Sequence, residues 1–411
     1  MKKQNILWKS NPLNFLIILI SILPISLLAG SAIININVIL INFIFLYIVL
    51  NYNHHIKIRS SFYILIFFWF SLLINLFFSI DLIHSLSRSF GIIRFIILAL
   101  SIKFVIEYAP IKKTEKIFFI WTIIFIIVSL DLIFEFFFGF NTFGFTSNFP
   151  GRLSGFMADE LKIGHYYFAL SIIVASYIFN KTHNYNLLYI LLFFIVIISL
   201  LIGERSNFIK LFFTVIFFLF LFEQKNYLKK IVSILIIIIS LITFINFNSA
   251  YKERFWTMFG EQILKEHQIS KVIKESPYGG HWYAAWEIFL DNKIFGVGLK
   301  NFRITSGNEK YYNQDVLFSE KRQNTHPHQI HLEFLSETGL FGYSFFITFI
   351  ILSLKNGISR FVKYKNLYQL SSLLVFFSST ILFLPSGSFF TTYGACIFWM
   401  IYGILISNKR S

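Results

Sequence analysis

The side chains best suited to chemistry in this chain are concentrated in the segment NTHPHQIHLEFLSETGLFG, residues 324–342. Three of them are the histidines His326, His328 and His331, and two glutamates follow. An imidazole titrates close to neutral pH, so it can serve as a general base, a proton shuttle or a metal ligand. Because a long apolar run comes next, we expect these groups to lie at one edge of a membrane.

The histidines allow three interpretations. A zinc site needs three or four ligands, but the chain has no HExxH motif and Pro327 makes the turn between the first two histidines rigid. A helix start would be capped by Asn324 or Thr325, with Pro327 at the first helical position. General-base catalysis would use a neutral imidazole to take a proton from a hydroxyl group. The residues alone leave these alternatives open.

The segment ends in the pattern GxxG, formed by Gly339 and Gly342. Small residues at this spacing let another helix or a bulky ligand approach the backbone closely. The pattern is a weak signal by itself, and its fixed distance from the histidines makes it more specific.

The composition of the whole chain indicates a membrane protein. Hydrophobic residues make up 56% of it and charged residues only 14%. Apolar runs of about 20 residues, enough to cross a bilayer, recur along the chain. Backbone in lipid must satisfy its own hydrogen bonds, so we expect an all-α, polytopic fold of about twelve spans. The predicted spans lie near 13–29, 32–50, 61–78, 90–108, 117–138, 164–179, 187–203, 207–222, 231–247, 339–355, 370–384 and 388–407.

Lysine and arginine predict the orientation of the chain. They are concentrated in alternate connections, a pattern that marks the cytoplasmic side. Both termini are therefore predicted to be cytoplasmic. The net charge of +16 is spread over short loops, so it gives no argument for nucleic-acid binding. The predicted cytoplasmic residues include Lys2, Lys3, Lys9, Lys57, Arg59, Lys112, Lys113, Lys116, Lys181, Lys225, Lys229, Lys230, Arg360, Lys363, Lys365, Lys409 and Arg410.

The connections divide the chain into three regions. Residues 1–247 carry transmembrane helices one to nine with short loops, and residues 339–411 carry helices ten to twelve. Between them, residues 248–338 form one large outer loop that is expected to fold as a few short helices. The single cysteine, Cys396, lies in the last span, which excludes an intramolecular disulfide.

Four arginines are candidates for binding an anionic substrate at the outer face. Arg94 begins span four, Arg152 lies in the first outer loop, Arg205 occupies a very short outer turn, and Arg303 lies in the large outer loop. Arginine at the membrane edge also extends to lipid headgroups, or pairs with an acidic side chain, for purely structural reasons. A turn as short as GERSN could have been built without charge, which favours a functional role for Arg205.

The spacing of the histidine segment resembles the hallmark of the O-antigen ligase and O-antigen polymerase family. That hallmark is a His, then Asn, Ser or Gln, then nine residues and GxxG. Here His328 and Gln329 precede nine residues and the sequence Gly-Leu-Phe-Gly at 339–342. Further similar stretches are GERSNF, residues 203–208, and WEIFLDNKIFGVGLKNF, residues 286–302. The similarity covers span five to the C-terminal end, and the first hundred residues match in hydropathy only.

The resemblance implies a membrane glycosyltransferase of the GT-C kind in the bacterial inner membrane. Such enzymes take a glycan from undecaprenyl diphosphate on the periplasmic face, with no metal and no nucleotide sugar. A ligase passes the glycan to a sugar hydroxyl of lipid A–core. A polymerase passes it to the next lipid-linked repeat unit, and a protein O-oligosaccharyltransferase passes it to a protein.

The resemblance also implies roles for individual residues. His328 would be the catalytic base, with His326 or Glu333 orienting it. Arg94, Arg152, Arg205 and Arg303 would bind the diphosphate, since guanidinium groups bind phosphate oxygens bidentately. A polysaccharide transporter is the alternative outside this class. Transporters, however, usually place charges near the midplane and show related halves, and this chain does neither.

Overall fold

A computed structural model describes residues 11–51, 60–158, 160–222, 227–257, 274 and 276–408. Within these ranges the chain is built from helices joined by loops, and no strand is present. The all-α prediction is confirmed. The basic residues at positions 2, 3, 9, 57, 59, 225, 409 and 410, and part of the predicted outer loop, lie outside the described residues.

The helices are numbered in the order in which they follow along the chain. They are α1 Asn11–Ser21, α2 Leu23–Ala29, α3 Ser31–Asn51, α4 Ser60–Asn75, α5 Leu82–Gly91, α6 Ile93–Tyr108, α7 Ile111–Phe138, α8 Ile163–Thr182, α9 Tyr185–Ile202, α10 Arg205–Phe222, α11 Tyr227–Phe247, α12 Ser249–Lys252, α13 Gly279–Asp291, α14 Phe302–Thr305, α15 Ile330–Tyr364, α16 Leu367–Ser379 and α17 Thr392–Leu405.

Eight of the described helical segments are long and apolar enough to cross a membrane. The pair α1 and α2, bent by 47°, would make a ninth if it is one span. Each predicted span contains a helix, but three of these apolar helices have only 10–17 residues, so the count of twelve is not confirmed. They are Phe62–Phe78, α16 and α17.

The sequence between the two C-terminal helices explains why they are shorter than the predicted spans. The sequence predicts spans at 370–384 and 388–407, whereas α16 ends at Ser379 and α17 begins at Thr392. The intervening residues 380–391 form an irregular loop, which we call the 380–391 loop. It includes Pro385 and Gly387, which favour turns, although Leu382 and Phe383 keep its hydropathy high.

Helix α17 lies at the centre of the bundle and does not face lipid. Trp399 and Met400 are fully buried, and α17 packs against α6 and α16. Gly403 permits the closest approach, because a Cβ there would lie 2.8 Å from the Ala99 carbonyl oxygen. Cys396 is buried in this helix as a free thiol, in agreement with the sequence.

Helix α15 is broken at Gly339, the residue where the sequence predicts the tenth span to begin. Gly339 has φ 60° and ψ −167°, a conformation essentially restricted to glycine. The interrupted helix exchanges hydrogen bonds with the segment Lys293–Gly298 instead. Leu340 and Phe341 donate to the carbonyls of Lys293 and Ile294 at 2.8 and 2.9 Å.

These hydrogen bonds explain why the first position of the GxxG pattern is a glycine. A Cβ on Gly339 would lie 2.4 Å from the Ile294 carbonyl group. The close approach anticipated from the sequence is therefore made by a loop of the same chain. Gly342 lies beneath the Thr338 side chain, whose Cβ would be 2.4 Å from an added methyl group.

Candidate active site

A cavity of about 440 Å³ opens where the histidine segment meets the bundle. The N-terminal ends of α8, α10 and α17 and the 380–391 loop contribute to its wall. One part of the lining is charged or polar and includes Arg152, Lys162, Glu204, Lys210, His326 and His328. Another part is apolar and includes Phe168, Phe376, Ile397, Phe398 and Ile401. The cavity is therefore amphipathic.

His328 has an unusual backbone conformation that neighbouring residues hold in place. Its φ is 56°, in the left-handed region that non-glycine residues rarely adopt. The Ser386 N–H donates to the His328 carbonyl at 2.9 Å, and the Ser386 hydroxyl accepts from the Ile330 N–H at 2.9 Å. Gln329 donates from its side-chain amide to the Leu382 carbonyl. The 380–391 loop thus fixes the backbone on both sides of Gln329, directly after His328.

The hydrogen bonds around His328 indicate which ring nitrogen is unprotonated. His281 Nδ1 lies 3.2 Å from the Arg322 carbonyl, which can only accept, so Nδ1 carries the proton. Its Nε2 then accepts from the Asn324 amide at 3.4 Å. The same Asn324 Nδ2 lies 3.4 Å from His328 Nε2. His328 Nε2 is therefore assigned as an acceptor, the form that a general base requires.

The environment keeps the His328 imidazole neutral. Burial, and secondarily the neighbouring His281, lower the pKa of His328 to about 4. The ring centroids of Tyr278 and His281 each lie 5.4 Å from that of His328. At neutral pH the ring is unprotonated and can accept a proton.

His326 lies closest to His328, with ring centroids 4.2 Å apart. Its Nδ1 is 2.9 Å from the Thr325 hydroxyl, and its Nε2 is buried without a hydrogen-bond partner among the described residues. Burial, followed by the electrostatic interaction with His328, lowers the pKa of His326 to about 2. In the part of the chain that the structure describes, no group of three His, Cys, Asp or Glu side chains is arranged to hold a metal.

Arg152 lies on the cavity wall and is oriented by Glu204. Its Nη2 is 3.2 Å from Glu204 Oε1 and donates to the Leu161 carbonyl at 3.0 Å. Glu204 also accepts from the Gly164 N–H and the Asn207 amide. The charged turn GERSN therefore positions a guanidinium group from another loop.

Arg205 and Arg254 extend this cluster of positive charge. Arg205 Nη1 donates to the Arg254 carbonyl at 3.4 Å, and Arg254 Nε donates to the Gly203 carbonyl at 2.6 Å. Burial lowers the pKa of Arg254 to about 10, with repulsion from Arg152 and Arg205 contributing to the same shift. Three guanidinium groups thus lie within electrostatic reach of one another beside the Glu204 carboxylate. Arg205 itself is adjacent to the lining residues Ser206 and Asn207.

Arg94 and Arg303 are not among the described residues that line the cavity. The Arg94 guanidinium donates to the Gly91 carbonyl at 2.9 Å and lies 4.5 Å from the Phe95 ring centroid. Arg303 lies in the short helix α14, where its carbonyl accepts from Gln323. Diphosphate binding by these two residues stays a prediction without a geometric basis.

Glu333 bonds to the 380–391 loop rather than to the His328 ring. It is fully buried, and its carboxylate accepts from the Ser388 hydroxyl and from the Phe389 N–H at 2.8 Å. Lys300 lies 3.9 Å away and donates to the Ser388 hydroxyl at 2.9 Å. Glu333 therefore fixes the loop that in turn holds the backbone of His328.

Four residues of this region were not identified from the sequence. Arg254 and Lys210 could have been found from the sequence. Arg254 follows shortly after the apolar helix α11, and Lys210 is a lysine inside an apolar span. Lys210 donates to the Pro385 carbonyl at 2.9 Å. The approach of His281 and Tyr278 to His328 carries no sequence signal, because it depends on how the outer loop folds.

Comparison with known proteins links this site to a family. A family model described as O-antigen ligase matches residues 187–347, a range that includes Arg205, Arg254, His328 and the GxxG glycines. No curated protein matches the sequence significantly. Together with the apolar helices, the match supports the assignment of this chain to the membrane proteins of the O-antigen ligase and polymerase family.

Proposed function

We propose that this protein is a ligase-type glycosyltransferase that moves a glycan from undecaprenyl diphosphate to a sugar hydroxyl of lipid A–core. The main observation in favour is that one cavity combines His328 and Arg152 with an apolar wall. A polyprenyl-diphosphate glycan needs such a combination, because it carries an anionic group directly attached to a hydrocarbon chain.

The donor would bind with its diphosphate near the arginine cluster. Arg152, Arg205 and Arg254 are preassembled there, and Lys210 adds a further positive charge to the lining. Guanidinium groups form bidentate hydrogen bonds with phosphate oxygens and stabilise the charge that develops on a leaving oxygen. The first isoprene units would lie along the apolar part, which includes Phe376, Phe398 and Ile401.

The transfer step would use His328 as general base. The acceptor hydroxyl oxygen attacks the anomeric carbon while its proton passes to His328 Nε2. The bond between the anomeric carbon and the diphosphate oxygen breaks, and undecaprenyl diphosphate leaves with the electron pair. Attack opposite the leaving group inverts the anomeric configuration. The cationic side chains carry the leaving-group charge, so the proposal involves no metal ion and no nucleotide sugar.

His326, Glu333, Gly339 and Gly342 would support this step indirectly. His326 packs against the base, and Glu333 holds the 380–391 loop. Gly339 allows the Lys293–Gly298 segment to pair with the broken helix. We place the cavity on the periplasmic face of a bacterial inner membrane, with both termini in the cytoplasm, because the positive-inside pattern favours that orientation.

A surface-glycan gel of a deletion strain tests the proposal and its alternatives. Loss of all sugar from lipid A–core, with carrier-linked chains accumulating, is the expected result for a ligase. Core that still carries a single repeat unit would identify a polymerase acting on a lipid-linked acceptor. An unchanged ladder with lost glycoprotein staining would identify a protein O-oligosaccharyltransferase.

A further inference from the structure

A second cavity, of about 290 Å³, lies at the end of the bundle opposite the His328 cavity. The same helices line both. In α8, His165 borders the His328 cavity and Lys181 borders the second one. These positions are separated by about 24 Å along the helix axis, at about 1.5 Å per residue. In α16, Ser379 and Leu367 mark the two ends in the same way. The second cavity therefore opens at the other membrane face.

The lining of this cavity is amphipathic. Its apolar part includes Ile106, Ile111, Phe118 and Leu367. Its charged part consists of Lys181 and Lys365, and of Glu115, which pairs with Lys181 at 2.7 Å. Among these lysine and glutamate side chains, two positive charges and one negative charge leave an excess of one positive charge. Basic cavities between helices at a membrane face are suited to anionic lipid headgroups.

Two helices begin at this cavity, whereas α6, α8 and α15 end beside it. The 28-residue helix α7 begins at Ile111, a lining residue, and no side chain caps its N-terminus. The unpaired N–H groups and the dipole of a helix N-terminus attract phosphate. Helix α16 also begins at this cavity, but the Asn366 side chain already accepts from the N–H groups of Tyr368 and Gln369 in its first turn.

The buried side chain of Gln369 indicates that the ligand must also offer a hydrogen-bond donor. Gln369 is only 2% exposed, and its Nε2 donates to the Ser407 carbonyl at 2.7 Å. That bond fixes the orientation of the amide, because a carbonyl can only accept. Gln369 Oε1 is left without a hydrogen-bond partner among the described residues. A buried acceptor of this kind costs free energy unless a donor reaches it.

We propose that this cavity binds an anionic phospholipid whose headgroup carries hydroxyl groups, in the leaflet opposite the His328 cavity. The phosphodiester would lie near Lys365 and the start of α7, a headgroup hydroxyl would donate to Gln369 Oε1, and the glycerol and upper acyl chains would contact the apolar wall. This site is independent of the glycosyl-transfer proposal.

Native mass spectrometry of the full-length, delipidated protein in detergent tests the site, with phosphatidylglycerol as the probe. Lys365→Gln should weaken binding about fivefold, the contribution of one lysine near an anionic headgroup. The matched control is Lys363→Gln, an exposed lysine two positions away that does not line the cavity. It should change the affinity by less than about twofold.

Gln369→Leu removes the unpaired acceptor and should reduce the preference for phosphatidylglycerol over phosphatidic acid, which lacks the headgroup glycerol and its two hydroxyls. A monodisperse elution profile shows that the variants are folded. Equal effects of the two lysine substitutions would overturn the proposal. So would equal binding of phosphatidylcholine, or displacement of the lipid by millimolar inorganic phosphate, which would identify a free-phosphate site.

Discussion

Ser386 donates its backbone N–H to the carbonyl of His328 at 2.9 Å and accepts the Ile330 N–H on its hydroxyl. One residue of the 380–391 loop therefore bonds to the chain on both sides of Gln329. This relationship stabilises the left-handed conformation of His328, which is costly for a non-glycine residue and persists only where its surroundings impose it. The geometry of the proposed base thus depends on a loop that lies far along the chain, beyond the whole of α15 and α16.

Replacing Glu333 should destabilise the protein. Glu333→Ala leaves Lys300 buried without its carboxylate and removes the acceptor of the Ser388 hydroxyl and the Phe389 N–H. Removing one partner of a buried ion pair typically costs about 3–5 kcal/mol. Thermal denaturation of the purified protein in detergent should show a clearly lower midpoint than the wild type. The control Glu320→Ala, at an exposed position, should leave it unchanged.

The two glycines of the GxxG pattern should differ in their tolerance of a methyl group. Gly339→Ala forces a Cβ against the Ile294 carbonyl in a backbone conformation essentially restricted to glycine, so we expect a loss above about 4 kcal/mol. Gly342→Ala meets only the Thr338 side chain, which can rotate at a cost of about one hydrogen bond, or ~1 kcal/mol. The folded yield in detergent measures both. Equal yields would contradict the explanation of the helix break.

The pH dependence of transfer should follow the lowered pKa of His328. Burial stabilises the neutral imidazole, so the base form persists to lower pH than in a free histidine. The acid limb of kcat/KM, which reports the free enzyme, should fall near pH 4. A bound diphosphate would favour the protonated form, so the limb of kcat should lie at higher pH. A kcat/KM limb near the ordinary histidine pKa of about 6.5 would contradict the buried environment.

Substitution of an arginine beside the cavity should impair glycan transfer more than substitution of an arginine elsewhere. Arg152→Gln and Arg254→Gln should each lower kcat/KM for the lipid-linked donor by roughly tenfold or more, because a hydrogen bond to a charged group contributes about 1.5–3 kcal/mol. Arg94→Gln should have little effect, since its guanidinium contacts Gly91 and Phe95. Kinetics with a purified polyprenyl-diphosphate glycan distinguish the two groups. A loss in Arg94→Gln as large as in Arg152→Gln would contradict the assignment.

Hydropathy was sufficient to predict the helical architecture, because each apolar run contains a helix. It overestimated the length of the last two spans, because the 380–391 loop is apolar at Leu382 and Phe383 but turns at Pro385 and Gly387. Local spacing predicted that Gly339 needs a close neighbour, but the neighbour is the Lys293–Gly298 segment, which only the fold identifies. The contacts of His281 and Ser386 with the His328 segment are long-range in sequence, so no local pattern could indicate them.

Glycan transfer by purified protein with His328 replaced tests the central claim most directly. His328→Asn is preferred over His328→Ala, because asparagine tolerates the left-handed conformation and supplies no base. With polyprenyl-diphosphate glycan and lipid A–core in detergent, both variants should accumulate normally in the membrane and lose transfer by about 10²–10⁴-fold. His84→Ala, an exposed histidine in α5, is the control and should retain activity. Normal transfer by a folded His328→Asn protein would contradict the assignment of His328 as the base.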